Sequence, residues 1–343
     1  MRVTIKDVAK LANVAPSTVS RVIADSPRIS ERTKVKVREA MEQLGYHPNL
    51  NARSLANKST QALGIVMPSA TGKVLQNPFF PEVIRGISAK AYEEEYALYL
   101  TTGQTEEEIF EDVVKMVQGN RVDGIVLLYS RVDDQIMHYL YEKQFPFVVI
   151  GKPYKYTDEI HHVDNDNVKA ALEVTDYLIS LGHERIGFIA GTLDLVVTID
   201  RLQGYERAMR LANLPYRNEY TIFQEFVQES GKNAVKKYLS LKEFPTALIV
   251  TDDIMALGVL AALHEMGIRV PQDVSVISFN NLMIADYTQP ALSSVEVNIF
   301  DLGYEAANCL LQAIHHPQIA AKQITVNHEM ILRQSCAPLQ KND

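Results

Sequence analysis

Three short amphipathic segments follow one another within the first forty-five residues, at 5–12, 16–23 and 31–44. Apolar residues separated by so few links can only fold as a small helical head. In the first segment Ile5, Val8, Ala9 and Ala12 recur at helical spacing, with Thr4 placed to cap it. Asn13, Val14 and Ala15 form the turn, and Asn tolerates the left-handed backbone that a tight turn requires. Pro16 opens the second helix, a favoured position for proline. Val19, Val22 and Ile23 point inward, while Pro16, Ser17, Ser20 and Arg21 share the opposite side. A small polar face carrying one arginine suits a helix lying in a DNA major groove. The third helix has Ser30 as cap, Val37, Ala40, Met41 and Leu44 as its inner stripe, and Gly45 as its stop. A three-helix bundle without a ligand would carry the same stripes.

The next segment, 47–57, has helix-forming composition. It is shorter than the ~12–15 residues that an isolated helix needs in water. Its Leu55 sits on an otherwise polar face. It reads either as packing or, beside a DNA-binding unit, as a wedge between base steps of the minor groove.

Charge separates this head from the rest. The whole chain is acidic at −8, but residues 1–60 hold 11 Lys and Arg against 5 Asp and Glu, a net of +6. The remainder, 23 against 37, carries −14. A basic module on an acidic body fits phosphate binding through the head alone, although a merely solvated basic face would look alike. The two cysteines, Cys309 and Cys336, lack metal-ligand spacing and are expected to be free thiols. Lys6 and Asp7 interrupt any apolar leader, and no stretch approaches the ~18 apolar residues of a membrane span. A soluble cytoplasmic protein without a cofactor and with no membrane partner is expected.

From residue 62 the pattern changes to apolar runs alternating with amphipathic helices. The runs are 63–68, 97–101, 124–129, 147–150, 186–190, 247–251 and 274–279. The helices are 81–95, 105–119, 134–143, 168–181, 201–212, 231–241 and 253–266. This alternation means parallel sheets covered on both faces. Seven such units are too many for one sheet and suit two doubly wound lobes. A further strand after Ser293, a helix over 301–315 and a closing strand pair, 324–326 with 329–332, complete the body.

Ligands of such sheets sit beyond the carboxyl ends of the strands. Asp252 and Asp253 follow one run and Asn280 and Asn281 another. Arg201 opens a helix shortly after a third. Arg, Asp and Asn together can satisfy sugar hydroxyls, with Phe79, Phe80 and Phe226 as apolar walls. Asp253 reads as a helix cap, and Asp164 and Asp166 as turn and cap residues. An enzyme is not indicated. There is no G-x-G-x-x-G after a strand, no P-loop, no H-E-x-x-H, and no Ser or Cys in a nucleophile motif.

The order and spacing of ThrIleLysAspValAla (4–9), ValAlaProSerThrValSerArgVal (14–22) and TyrHisProAsnLeuAsnAlaArgSerLeu (46–55) resemble the headpiece and hinge of the lac-repressor/galactose-repressor family. AspGlyIleValLeu (123–127), ValAspAsnAspAsn (163–167), GlyHisGluArgIleGlyPheIleAlaGly (182–191) and AspValSerValIleSerPheAsnAsn (273–281) resemble landmarks of the type I periplasmic-binding-protein fold which that family attaches to its headpiece. The resemblance implies a helix-turn-helix headpiece at 1–46 and a hinge at 47–61. It implies an effector-binding and dimerisation body at 62–337, with lobe one at 62–162 plus 294–325 and lobe two at 163–293 plus 326–337.

By the same resemblance Pro16, Ser17 and Arg21 read base edges. Thr18, Ser20 and Asn49 contact the DNA backbone, Thr4 joins them, and Ala52 and Leu55 enter the minor groove. Phe79, Phe80, Arg201, Phe226, Asp252 and Asn280 touch effector. Two departures are Asn13, where Gly is usual, and Ala15, where a capping Ser is usual. AsnProPhePhePro (77–81), GlnPheProPheValValIleGlyLys (144–152) and ValThrIleAspArgLeuGlnGlyTyr (197–205) look most like the Gram-positive maltose-operon branch. That implies a repressor which binds a pseudo-palindromic double-stranded DNA operator as a homodimer and responds to a small sugar, maltose or a related α-glucoside. The alternative is a phosphorylated carrier protein or a sugar phosphate as corepressor.

Overall fold

The computed structural model describes residues 3–23, 25–46, 59–68 and 75–340. The chain divides into two compact units, Met1–Gln61 and Ala62–Asp343.

In the first unit, α1 (Ile5–Leu11), α2 (Pro16–Ile23) and α3 (Glu31–Leu44) enclose a core of Val8, Ala9, Ala12, Val19, Val22, Val37 and Ala40. So small a core depends on its helix ends. The backbone N–H and hydroxyl of Thr4 both donate to Asp7 Oδ2, at 2.9 and 2.7 Å. The hydroxyl bond, ahead of the backbone one, holds the Asp7 carboxyl below its usual range. Asn13 takes a left-handed φ of 48°, and Gly45 ends α3 at 61°. Ser30 Oγ accepts from Thr33 N–H. Asp25 gathers Lys34 Nζ at 3.0 Å and Arg38 Nη2 at 3.1 Å, so part of the head's positive charge is neutralised locally.

The second unit holds two six-stranded sheets. The first contains β1 (Ala62–Val66), β2 (Ala97–Leu100), β3 (Gly124–Leu127), β4 (Phe147–Ile150), β5 (His162–Asp164) and β11 (Gln323–Thr325). They run in the order β11-β5-β4-β3-β1-β2 and every pairing is parallel. The second contains β6 (Ile186–Ala190), β7 (Thr221–Phe223), β8 (Ala247–Val250), β9 (Ser275–Phe279), β10 (Ser293–Glu296) and β12 (Glu329–Ile331). Their order is β12-β10-β9-β8-β6-β7, with β12 alone antiparallel. The central strands β1, β3, β4, β6 and β8 are almost wholly apolar because helices cover both faces.

Around the first sheet lie α4 (Phe79–Glu93), α5 (Glu106–Gln118), α6 (Gln135–Glu142) and α11 (Ile299–His315). Around the second lie α7 (Asn167–Ser180), α8 (Val196–Leu211), α9 (Gln228–Leu239) and α10 (Asp253–Glu265). Gly86 and Gly303 let α4 and α11 touch backbone to backbone. A Cβ on either would stand 2.1 Å from a carbonyl oxygen of the other helix.

The chain passes between sheets three times, after β5, β10 and β11. Asn165 binds the three passages together, its Nδ2 donating to the carbonyls of Val297 (3.0 Å) and Val326 (2.9 Å). This differs from the expected lobes at two points. β5 extends lobe one to Asp164, and β10 belongs to the second sheet, so the passage assigned to 293/294 falls after Glu296. Nor do the last two strands pair with each other. β11 pairs with β5 and β12 with β10, because the three residues between them carry the chain across the lobes instead of turning a hairpin. Alternating side chains look the same in either arrangement. β5 and β7, three residues each, are too short and too polar to register as apolar runs.

Candidate functional site

On the head, Pro16, Ser17, Ser20 and Arg21 are exposed along one side of α2 and Thr18 is half-buried, while Val19 and Val22 from the same helix fill the core. Thr4 is exposed at the start of α1 and is engaged with Asp7. Asn49, Ala52 and Leu55 lie outside the described residues.

In the body a cavity of about 520 Å³ opens between the lobes, at the carboxyl ends of both sheets. All six residues expected to touch effector line it: Phe79, Phe80, Arg201, Phe226, Asp252 and Asn280. Phe79 and Phe80 meet edge to face at 5.4 Å on the lobe-one side. Phe226 packs over Gly191, where a Cβ would come within 2.4 Å of its ring. Only glycine leaves room for the ring there.

The polar residues are held by one another. Asp252 caps α10 by accepting from Met255 N–H at 3.0 Å. Its other oxygen accepts from Asn280 Nδ2 and, across the cleft, from Asn77 Nδ2, both at 3.0 Å. Asn77 Oδ1 in turn accepts from Phe79 N–H, so this amide positions the aromatic wall as well. Arg201 is buried, with Nε donating to Asn167 Oδ1 (2.9 Å) and Nη1 to the Thr251 carbonyl (2.7 Å). Its guanidinium lies 4.2 Å from the centre of the Phe279 ring. Burial lowers it to about 10, countered by Asp164, Asp252 and Asp253, and it stays charged at neutral pH. Burial pushes the carboxyl of Asp164 up to about 7, against N–H bonds from Asn165 and Lys152. Among the described residues, Thr251 Oγ1 is a buried polar atom on this wall without a protein partner.

Three residues differ from the sequence reading. Asp253 is not the cap of α10. It lies one position inside, where Ser278 Oγ, Ser294 Oγ (2.7 Å) and Leu282 N–H (2.6 Å) donate to it. Arg201 does not open a helix, because α8 begins at Val196 and places it in the second turn. Asp164 lines the cavity, while Asp166 does cap α7. Asn77, Tyr129, Arg131, Asn167, Asp194 and Thr251 line the cavity and were not singled out in the sequence. The strand-end rule, applied to the run at 124–129, would have found Arg131. Nothing in the sequence marks Asn77 except its place in AsnProPhePhePro.

A helical head with one exposed polar face, joined in one chain to a two-lobed body with a cleft, is the architecture of a DNA-binding regulator. The chain belongs to the LacI family of transcriptional regulators. The model of bacterial regulatory proteins of the lacI family matches residues 4–49 and that of the periplasmic binding protein-like domain matches 175–336. The HTH-type transcriptional regulator MalR of Streptococcus pneumoniae is 42% identical over 342 residues, covering 96% of this chain and 99% of the relative. A LacI-type regulator of Bacillus cereus subsp. cytotoxis superposes with a TM-score of 0.80 at 53% identity, over 81% of this chain and 99% of that one. The transcriptional regulator CelR in complex with cellobiose superposes with a TM-score of 0.77 at 30% identity, over 97% and 100%. The protein is a DNA-binding transcriptional repressor of this family, and its named relatives are regulators rather than enzymes.

Proposed function

We propose that the chain binds a pseudo-palindromic operator as a homodimer in the cytoplasm, and that a small neutral sugar in the cleft controls its operator affinity. Maltose or a related α-glucoside is the effector that fits best. The observation that carries this reading is the 520 Å³ cavity, in which three phenylalanines stand beside Arg201, Asp252 and Asn280. The volume lies within the roughly 300–1,000 Å³ of small-molecule sites. Aromatic faces suit the C–H side of a pyranose, and the fixed polar groups suit its hydroxyls. The relative CelR was solved with a disaccharide, cellobiose.

Charge weighs against the alternatives. Asp164, Asp194 and Asp252 face the cavity, and its two arginines, Arg131 and Arg201, are already engaged by protein groups. A sugar phosphate would meet repulsion, and the −14 of the sequence beyond residue 60 repels an acidic phosphorylated carrier.

On the head, Arg21 is assigned to a guanine edge, the commonest specific contact. Leu55 is assigned to the minor-groove wedge.

The test is binding of the full chain to an operator fragment with and without maltose at fixed salt, because salt alone moves such affinities. Release by maltose is expected. Unchanged binding, with calorimetry showing uptake of a sugar phosphate or a phosphorylated carrier instead, would overturn the effector assignment. Equal operator binding by Leu55→Ala would remove the wedge.

A further inference from the structure

The loops leaving the carboxyl ends of β3 and β6 belong to different lobes, and they pair across the cleft. Val132 N–H donates to the Asp194 carbonyl at 2.9 Å, and Val196 N–H donates to the Ser130 carbonyl at 3.1 Å. Arg131 and Leu195 thereby face each other as an antiparallel bridge that belongs to neither sheet. Ser130, Arg131, Asp194 and Leu195 also line the cavity, so this strap is part of its wall. Arg131 fastens it from the lobe-one side. Its Nη1 pairs with Glu106 in the first turn of α5, and its Nε lies 3.5 Å from Asp194 Oδ2, an ion-pair distance without a hydrogen bond. Its guanidinium sits 5.1 Å from the centre of the Tyr129 ring.

We propose that this strap is the gate of the cleft. Its two peptide hydrogen bonds join groups on separate lobes, so they exist only while the lobes are shut and must break before the cavity exchanges its contents. Bonds made in one state alone favour that state. The strap therefore raises the fraction of molecules in the closed form, and apparent effector affinity rises with that fraction. The proposal rests on the reading that the effector occupies this cleft.

Val196→Pro tests the effect. Val196 is the first residue of α8, where proline is well accepted. Leu195 before it has φ −87° and ψ 125°, the extended backbone that a following proline demands. The substitution removes one strap donor, and Val196 lies outside the cavity lining. Calorimetry of the full chain should give maltose binding about three- to tenfold weaker than wild type, the loss expected for one net hydrogen bond. Wild-type affinity in this variant would overturn the proposal.

A second variant reads the strap without ligand. Arg131→Cys with Leu195→Cys places thiols at a bridge pair not joined by its own hydrogen bonds, where Cα atoms lie about 4.5 Å apart, within disulfide reach. An intramolecular cross-link under mild oxidation is expected, and its failure to form overturns the strap. If wild-type protein takes up no maltose while the cross-link forms, the effector assignment falls and the strap stands.

Discussion

The head and the cleft solve recognition in opposite ways. The head presents Pro16, Ser17, Ser20 and Arg21 from one side of a single eight-residue helix. These side chains stay exposed, and the core beneath them is seven buried residues. The cleft is assembled from residues between Pro68 and Leu302, drawn from both sheets, and its central polar groups engage one another. A surface reader can change one side chain with little structural consequence. A buried site cannot, because its polar groups hold one another: Asn77 and Asn280 meet on Asp252, and Arg201 meets Asn167.

That contrast orders the expected effects of substitution. Arg201→Met should be the most damaging. It leaves Asn167 Oδ1 and the Thr251 carbonyl buried without their donor, a loss of about 3–5 kcal/mol for one member of a buried charged cluster. Thermal unfolding of the body should fall sharply and calorimetry should detect no sugar uptake, while operator binding at low temperature persists. A stable, sugar-binding variant would erase the distinction between the two regions. Arg21→Ala should leave stability and sugar affinity alone and reduce discrimination between operator variants by about ten- to a hundredfold. If all operators weaken equally, Arg21 contacts backbone only.

Gly191→Ala sharpens the comparison from within the cleft. Its Cβ would displace Phe226, and effector affinity should drop about tenfold through overpacking with operator affinity unchanged. Unaltered sugar binding would take Phe226 out of the apolar wall.

Thr4→Ala removes the hydroxyl that answers Asp7. The head should melt a few degrees lower, measured by circular dichroism of the full chain, with the body's transition unmoved.

The smallest effect is one of pH. Burial pushes Asp164 and Asp253 up to about 7, so the folded body keeps those protons longer than the unfolded chain does. Stability then falls as pH rises through about 7. Half-buried His161 and buried His162 and His183 are shifted below their ordinary 6.5 by desolvation, so their influence lies on the acid side. The melting temperature of the body should decline by about 1–2 °C between pH 6.5 and about pH 8.5. A rise over that interval would reverse the assigned direction.

The two regions were also unequally legible. The head's inner stripe follows from spacing alone, since Val8, Val19, Val22 and Val37 all recur at helical intervals and all lie in the core. Strand and helix alternation likewise yields the body's class. Asp252 and Asn280 were legible because they directly follow long apolar runs. Arg131 was open to the same rule, but Asn77 and the cavity-facing place of Asp164 were not, because their role depends on which loops face each other across the cleft, and pairing between lobes leaves no local pattern. Sheet membership of the last strands failed for the same reason. Two three-residue segments of alternating character cannot announce which of two sheets receives them.

Asn165 has a mechanical meaning beyond its two hydrogen bonds. All three chain passages between the lobes run past one side-chain amide, which makes the body a lever pair on a single pin. A small rotation at the pin becomes a large displacement at the far rims. Stiffening or loosening that pin would retune how far a lobe rotation travels, without altering any group proposed to face sugar or DNA.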